Sequence, residues 1–286
     1  MQYLIYAIIC SVSVSVILKI AKKQSIVLEQ AIAFNYLMAI SLGLFLLKPA
    51  YPDDFSALPW PVFLALGVLL PSVFIIMGKA VEYAGIVKSD AAQRLSLILP
   101  IIAAVTLFGE TLSTYRGIGV ILAFVALFCL LIKPDTHKGT AGLSGALLLI
   151  GVWFGYGIID ILFKQLAKST TGLPFNLVFA FILAGLLMFV YIFLRKQTIT
   201  VKSVVGGLVL GVFNFFNILF YIKAHQAFST NPTLVFAAMN IGVITLGTLT
   251  GWLVFKEKLR PVNVLGIVFA IAAILMLFYG VQLFPA

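Results

Sequence analysis

Ten apolar runs, most of them close to twenty residues long, follow one another along this chain with short polar breaks between them. They cover residues 2–20, 29–47, 60–80, 87–108, 114–132, 141–164, 174–194, 202–223, 232–254 and 261–280. A helix needs about 20 apolar residues to cross a bilayer core of roughly 30 Å. In hydrocarbon the backbone must satisfy its own hydrogen bonds, and segments of this length do so as α-helices. A soluble fold is excluded by composition, because 63% of the residues are hydrophobic and only 10% are charged. Soluble chains carry about 25% charged residues, which keep a polar surface toward water. The expected architecture is an all-α membrane protein with ten transmembrane helices. The opening stretch, MQYLIYAIICSVSVSVILKIAKK, has no basic leader and no small-x-small cleavage pattern, so it reads as the first membrane helix and not as a signal peptide.

The two halves of the chain resemble each other. SVILKIAKK ends the first run and DILFKQLAK the sixth, which pairs Lys19 with Lys164 and Lys23 with Lys168. FNYLMAISLG in the second matches FNLVFAFILAG in the seventh, pairing Asn35 with Asn176. GKAVEYAG matches IKAHQAFS, pairing Lys79 with Lys223. FGETLSTYRGIG matches FKEKLRPVNVLG, pairing Glu110 with Glu257 and Gly119 with Gly266. The order is the same in both halves, so the chain divides into residues 1–136 and 137–286. Five helices per half is an odd number, and the second half must enter the membrane from the opposite side. Inverted repeats of this kind recur in carriers that expose one central site to each face in turn.

The formal charge of +10 would suggest nucleic acid as the partner of a soluble protein. Here the basic residues are spread between apolar runs, so they report topology and no nucleic-acid partner is expected. Connections 1–2, 3–4, 5–6, 7–8 and 9–10 hold thirteen Lys and Arg, the other four hold five, and Arg94 lies inside the fourth run. The excess puts the first set in the cytoplasm and both termini outside. Cys10 and Cys129 fall inside apolar runs and read as inert thiols. His137 and His225 are far apart and have no partnering Cys, so neither a zinc site nor a catalytic triad assembles. No phosphate-binding loop appears, so transport would draw on a gradient, with no cofactor.

The segments GETLSTYRGIGVILAFVALFCLLI and KEKLRPVNVLGIVFAIAAILMLF resemble the ten-helix EamA-like branch of the drug/metabolite transporter superfamily. The shared pattern is a Glu closing the fourth and ninth helices, a Leu two residues on, and then a Gly-containing helix. Pro100 in SLILPIIAAV fits that branch, whereas its counterpart Gly247 departs from it. The resemblance implies a carrier, often an exporter of amino acids or related metabolites, with a central cavity between the repeats. It also implies cytoplasmic termini, opposite to the charge distribution.

Polar groups at membrane depth cost free energy, so each needs a structural or functional reason. Trp153, Tyr156, Asp160 and Lys164 recur at spacings of three and four and share one face of the sixth helix. Asp160 and Lys164 are placed to pair across one turn. Either they satisfy each other near the helix end, or the face lines the cavity with Asp160 as proton acceptor or as counter-charge to a substrate amine. Ser11 and Ser15, with Lys19, occupy the matching face of the first helix, where hydroxyls also serve close packing. Gln93 aligns with Asn240, and these amides either share a substrate or bond each other. Arg94, one turn from Asp90, suits a carboxylate or reaches the interface. Asn214 and Asn217 should point inward, since amides facing lipid would forgo hydrogen bonds. Phe213, Phe216 and Tyr221 nearby read as packing or as aromatic walls. Glu110 and Glu257 are expected to fix the turn into the helix that follows each. The resulting reading is a secondary transporter of the inner membrane that exports small amphiphilic solutes, amino acids among them, and is not an enzyme. The alternatives are a lipid-modifying membrane enzyme, for which Asp53–Asp54 is the only acidic pair, and a channel.

Overall fold

The structure, a computed structural model, describes residues 1–286 except 25, 51–54, 56–57, 85, 133–141, 169–171, 257–259 and 284–286. The Asp53–Asp54 pair, the break at 133–140 with His137, Glu257 and the side chains of Lys19 and Lys23 lie outside the described residues.

Every regular element among the described residues is a helix. In chain order these are α1 (Gln2–Lys23), α2 (Leu28–Leu42, continued by a π-helical turn Gly43–Leu47), α3 (Trp60–Ala84), α4 (Ile86–Leu95), α5 (Ile98–Thr106) and α6 (Thr114–Leu131). They are followed by α7 (Gly142–Lys168), α8 (Leu173–Leu194), α9 (Val201–Ala227), α10 (Pro232–Phe255) and α11 (Pro261–Leu283). Eight of them, α2 with its π turn, α3 and α6 through α11, are long and apolar enough to cross a membrane. The helix α1, apolar over Gln2–Leu18, and the α4–α5 pair take up the other two apolar runs.

The fourth run departs from the single helix expected over 87–108. It breaks at Ser96–Leu97, and Pro100 supplies the reason. Proline carries no N–H, and its ring crowds the carbonyl four residues earlier, here that of Ser96. That carbonyl instead accepts from Leu99 N at 3.0 Å, a tighter i→i+3 bond. Leu99 N is thereby taken from its α-helical acceptor, the carbonyl of Leu95. The corresponding position in α10 is Gly247, and α10 runs through without interruption.

Side-chain contacts fix the direction of several helices. At one end, end A, the Tyr3 ring at the start of α1 stacks on Phe220 near the end of α9, centroids 6.4 Å apart. Tyr279 near the end of α11 donates to Met1 Sδ at 3.6 Å. At the opposite end, end B, Val27 N donates to Ser203 Oγ at 3.0 Å, and Gln30 Nε2 donates to the carbonyl of Thr198 at 2.8 Å. Asn263 Nδ2 also caps the last turn of α6 there, reaching the carbonyls of Cys129 and Ile132 at 3.0 and 3.2 Å. The C-terminus of α1 therefore lies at end B. The C-terminus of α7, tied to the last turn of α9, lies at end A.

The packing is pairwise. α1 lies on α9 and α7 on α3; α2 lies on α9 and α8 on α3; α6 lies on α11. Lipid gives helices no hydrophobic reason to associate, so small residues that let backbones approach carry these seams. A Cβ on Gly119 of α6 would stand 2.9 Å from Leu277 Cγ of α11, and one on Gly266 of α11 would stand 2.8 Å from Leu130 Cγ of α6. The offset that relates Gly119 to Gly266 also relates Leu130 to Leu277, so the two halves of this contact are reciprocal.

Candidate substrate site

The break in the fourth run leaves a carbonyl without its helical partner inside the protein, which is costly in a low-dielectric interior. Trp153 in the middle of α7 resolves this, its indole Nε1 donating to the carbonyl of Leu95 at 3.0 Å. Ser96 Oγ turns back to the carbonyl of Gln93 at 2.6 Å. Arg94, just before the break, is 12% exposed, and its Nε lies 3.5 Å from Asp90 Oδ1. Two turns beyond Trp153 on α7, Asp160 Oδ1 accepts from the hydroxyl of Tyr221 on α9 at 2.9 Å. Arg94 is near enough to act electrostatically on both Asp160 and Tyr156. The break in α4–α5, the middle of α7 and one face of α9 thus converge on Arg94, Asp90, Trp153, Tyr156, Asp160 and Tyr221. That set offers a guanidinium, two carboxylates and aromatic surface in the bundle interior.

Removing the Trp153 donor while keeping a ring isolates its contribution. Trp153→Phe should lower stability by about 1–2 kcal/mol, the usual cost of an orphaned buried acceptor. The readout is the apparent melting temperature in detergent. Unchanged melting would mean that the carbonyl of Leu95 does not depend on Trp153.

Other expected site residues fall elsewhere. Asp160 and Lys164 do not pair. Lys164, 1% exposed, does not reach water either, because its Nζ donates to the carbonyls of His225 and Ser229 at 3.2 and 3.0 Å. Those oxygens sit at the negative end of α9, where an ammonium is favoured. No bond links Gln93 with Asn240 among the described residues; Asn240 Nδ2 donates to Phe236 on its own helix at 3.2 Å. Ser15 is exposed and spends its hydroxyl on the carbonyl of Ser11 at 3.2 Å. Asn214 is buried, and the Oδ1 of Asn217 is buried without a partner, so both point into protein.

Glu110 does more than hold its own turn. The start of α6 is capped by Ser113, which accepts from Arg116 N at 3.4 Å. Glu110 Oε2 instead accepts from Thr233 N at the start of α10, at 2.8 Å. A cleft of about 400 Å³ lies apart from the polar cluster, between Ile9 to Ile17 of α1, Val209 and Phe213 of α9, and Leu246 and Thr250 of α10. Its walls are almost wholly apolar. The cleft suits hydrocarbon, and the polar chemistry belongs to the break.

Two comparisons bear on kinship. Residues 143–279 match the EamA-like transporter family. An uncharacterized protein of Haemophilus influenzae is 61% identical to this chain over 289 aligned positions, which cover 98% of each. The chain belongs to the EamA-like transporter family. As an EamA-like protein it is a multi-pass membrane protein and a transporter by family, in agreement with the helices long enough to span. A crystal structure with 13% identity superposes at a TM-score of 0.77, covering 100% of this EamA-like chain and 98% of its own. At that identity the likeness concerns the fold alone.

Proposed function

We propose that this protein is a secondary transporter of the inner membrane that exports small amphiphilic metabolites such as amino acids, by alternating access and with proton coupling through Asp160. The observation that carries this reading is the interrupted α4–α5 segment. Irregular backbone at membrane depth is tolerated where it is enclosed by protein or lines a cavity, and discontinuous helices commonly frame carrier binding sites. Here the interruption places Arg94 and Asp90 within electrostatic reach of Tyr156, and Arg94 within reach of Asp160, a set able to hold a solute bearing both charges. Reciprocal packing of Gly119 and Gly266, together with the opposite placement of the α1 and α7 C-termini, supports two five-helix halves of opposite sense. The excess of basic residues supports end B as the cytoplasmic face.

The test is flux. Purified protein in liposomes is expected to move a radiolabelled solute chosen by thermal-shift screening of amino acids, nucleosides, sugars and organic cations, since a ligand stabilises the state that binds it. Asp160→Asn should keep the bond from Tyr221 and abolish the response of flux to a pH gradient. If the variant keeps the parent's pH response, Asp160 has no part in coupling.

A further inference from the structure

End A is closed by charged groups that the substrate site does not use. The turn from α9 into α10, residues 225–233, is gripped from both sides. Lys164 Nζ donates to the carbonyl of His225 in the last turn of α9 and to that of Ser229 in the turn that follows. Glu110 Oε2 accepts from Thr233 N in the first turn of α10. A cation therefore meets the negative terminus of one helix and an anion the positive terminus of the next. Arg116 Nη1, 4.0 Å from Glu110 Oε1, adds a third charge, and Lys168 Nζ lies 4.8 Å above the ring of Phe108.

Groups this close to helix ends would normally meet water at the membrane surface. Lys164, Glu110, His225 and Thr233 are instead all 5% exposed or less. Toward end B, by contrast, a Cβ on Gly247 of α10 would meet nothing within 4 Å, and the cleft between α1, α9 and α10 lies in that half of α9 and α10. The closed end also holds unsatisfied chemistry. The two ring nitrogens of His225 and the hydroxyl of Thr233 are buried without partners, and the His225 ring is confined between Tyr221 and Phe236 at 4.8 and 4.6 Å. Groups left this way weigh against the state that buries them.

We infer that Lys164 and Glu110 are positioning residues for transport, which together latch the α9–α10 turn over end A and release it when that end opens. The inference rests on the carrier reading. Opening breaks the latch bonds and gives water to His225 and Thr233, so losses and gains offset and the two states stay close enough to exchange.

The reporter is a cysteine at Val235, which is fully buried in the first turns of α10, in a chain whose Cys10 and Cys129 are replaced by alanine. Sealed vesicles are treated with a membrane-impermeant thiol reagent on each face in turn. Lys164→Met is expected to raise labelling from end A by about tenfold or more, the population change that follows loss of a charge-assisted hydrogen bond. Lys164→Arg keeps charge and donors and should stay near the parent rate; Glu110→Gln keeps an acceptor for Thr233 N and should fall between. Glu110→Gln also carries the test if Lys164→Met does not assemble. Unchanged end-A labelling in well-folded Lys164→Met, or in well-folded Glu110→Gln if Lys164→Met does not assemble, overturns the latch. Flux in the parent with unchanged labelling removes the latch and leaves the carrier. Raised labelling in a protein that moves no solute keeps the latch and removes the carrier.

Discussion

Replacing Gly211 by alanine is expected to lower the apparent melting temperature by about 10 °C, on the scale of 2–4 °C per kcal/mol for chains of this size. The reason is the distance between backbones. Gly207 and Gly211 lie one turn apart on α9 and face α2. A Cβ at Gly211 would stand 2.6 Å from the carbonyl oxygen of Asn35 and 2.6 Å from Met38 Cβ; at Gly207 it would stand 2.5 Å from the carbonyl oxygen of Ala31. A flexible side chain can turn away from such a contact, but a helix carbonyl moves only if the helix moves. Overpacking a core costs about 1–3 kcal/mol, and a backbone obstacle puts this case at the upper end. Gly247→Ala is the matched control, because its Cβ would enter open space and alanine favours a helix by about 1 kcal/mol over glycine. Gly247→Ala should melt at or above the parent. Equal melting of the two variants would mean that α2 and α9 do not meet as described.

Arg94→Gln should separate function from fold. The guanidinium is 12% exposed beside the break, and it is the cation of the cluster near enough to Asp160 and Tyr156 to act on them electrostatically. Losing a charge-assisted contact to a bound solute costs about 1.5–3 kcal/mol, so flux should fall roughly 10–150-fold. Stability should change by under about 1 kcal/mol, because Asp90 is 27% exposed and can turn to water when its partner goes. Arg94→Lys keeps the charge without the planar fork and should restore only part of the flux. Liposome flux and detergent melting, measured on the same preparations, give both numbers. Parent-level flux in Arg94→Gln would detach the substrate from the break.

The apolar runs made most of the fold legible, since hydropathy at this length admits few structures. Gly119 and Gly266, paired through the matching segments FGETLSTYRGIG and FKEKLRPVNVLG, lie on one seam between α6 and α11. The break was less legible although Pro100 was visible. Pro71 sits within α3 and does not interrupt it, so proline reports one lost bond and leaves the shape of the chain open. What decides it is a partner for the freed carbonyl, and Trp153 is 58 residues away from Leu95. The charged pairs show the same limit. Spacing of four joins Asp160 to Lys164, yet the phenol of Tyr221 and the open carbonyls of α9, more than 60 residues on, take them separately. Local periodicity shows which face a side chain occupies; the partner depends on helices the sequence brings together only on folding.

Accessibility of one interior position from both sides of the membrane tests the account most directly. Tyr156→Cys, in a chain with Cys10 and Cys129 replaced by alanine, is treated with an impermeant thiol reagent added to either face of sealed vesicles. A carrier that opens alternately leaves position 156 reactive from each face, and the transported solute protects it from both. Reaction confined to one face, with or without solute, would contradict alternating access at the α4–α5 break.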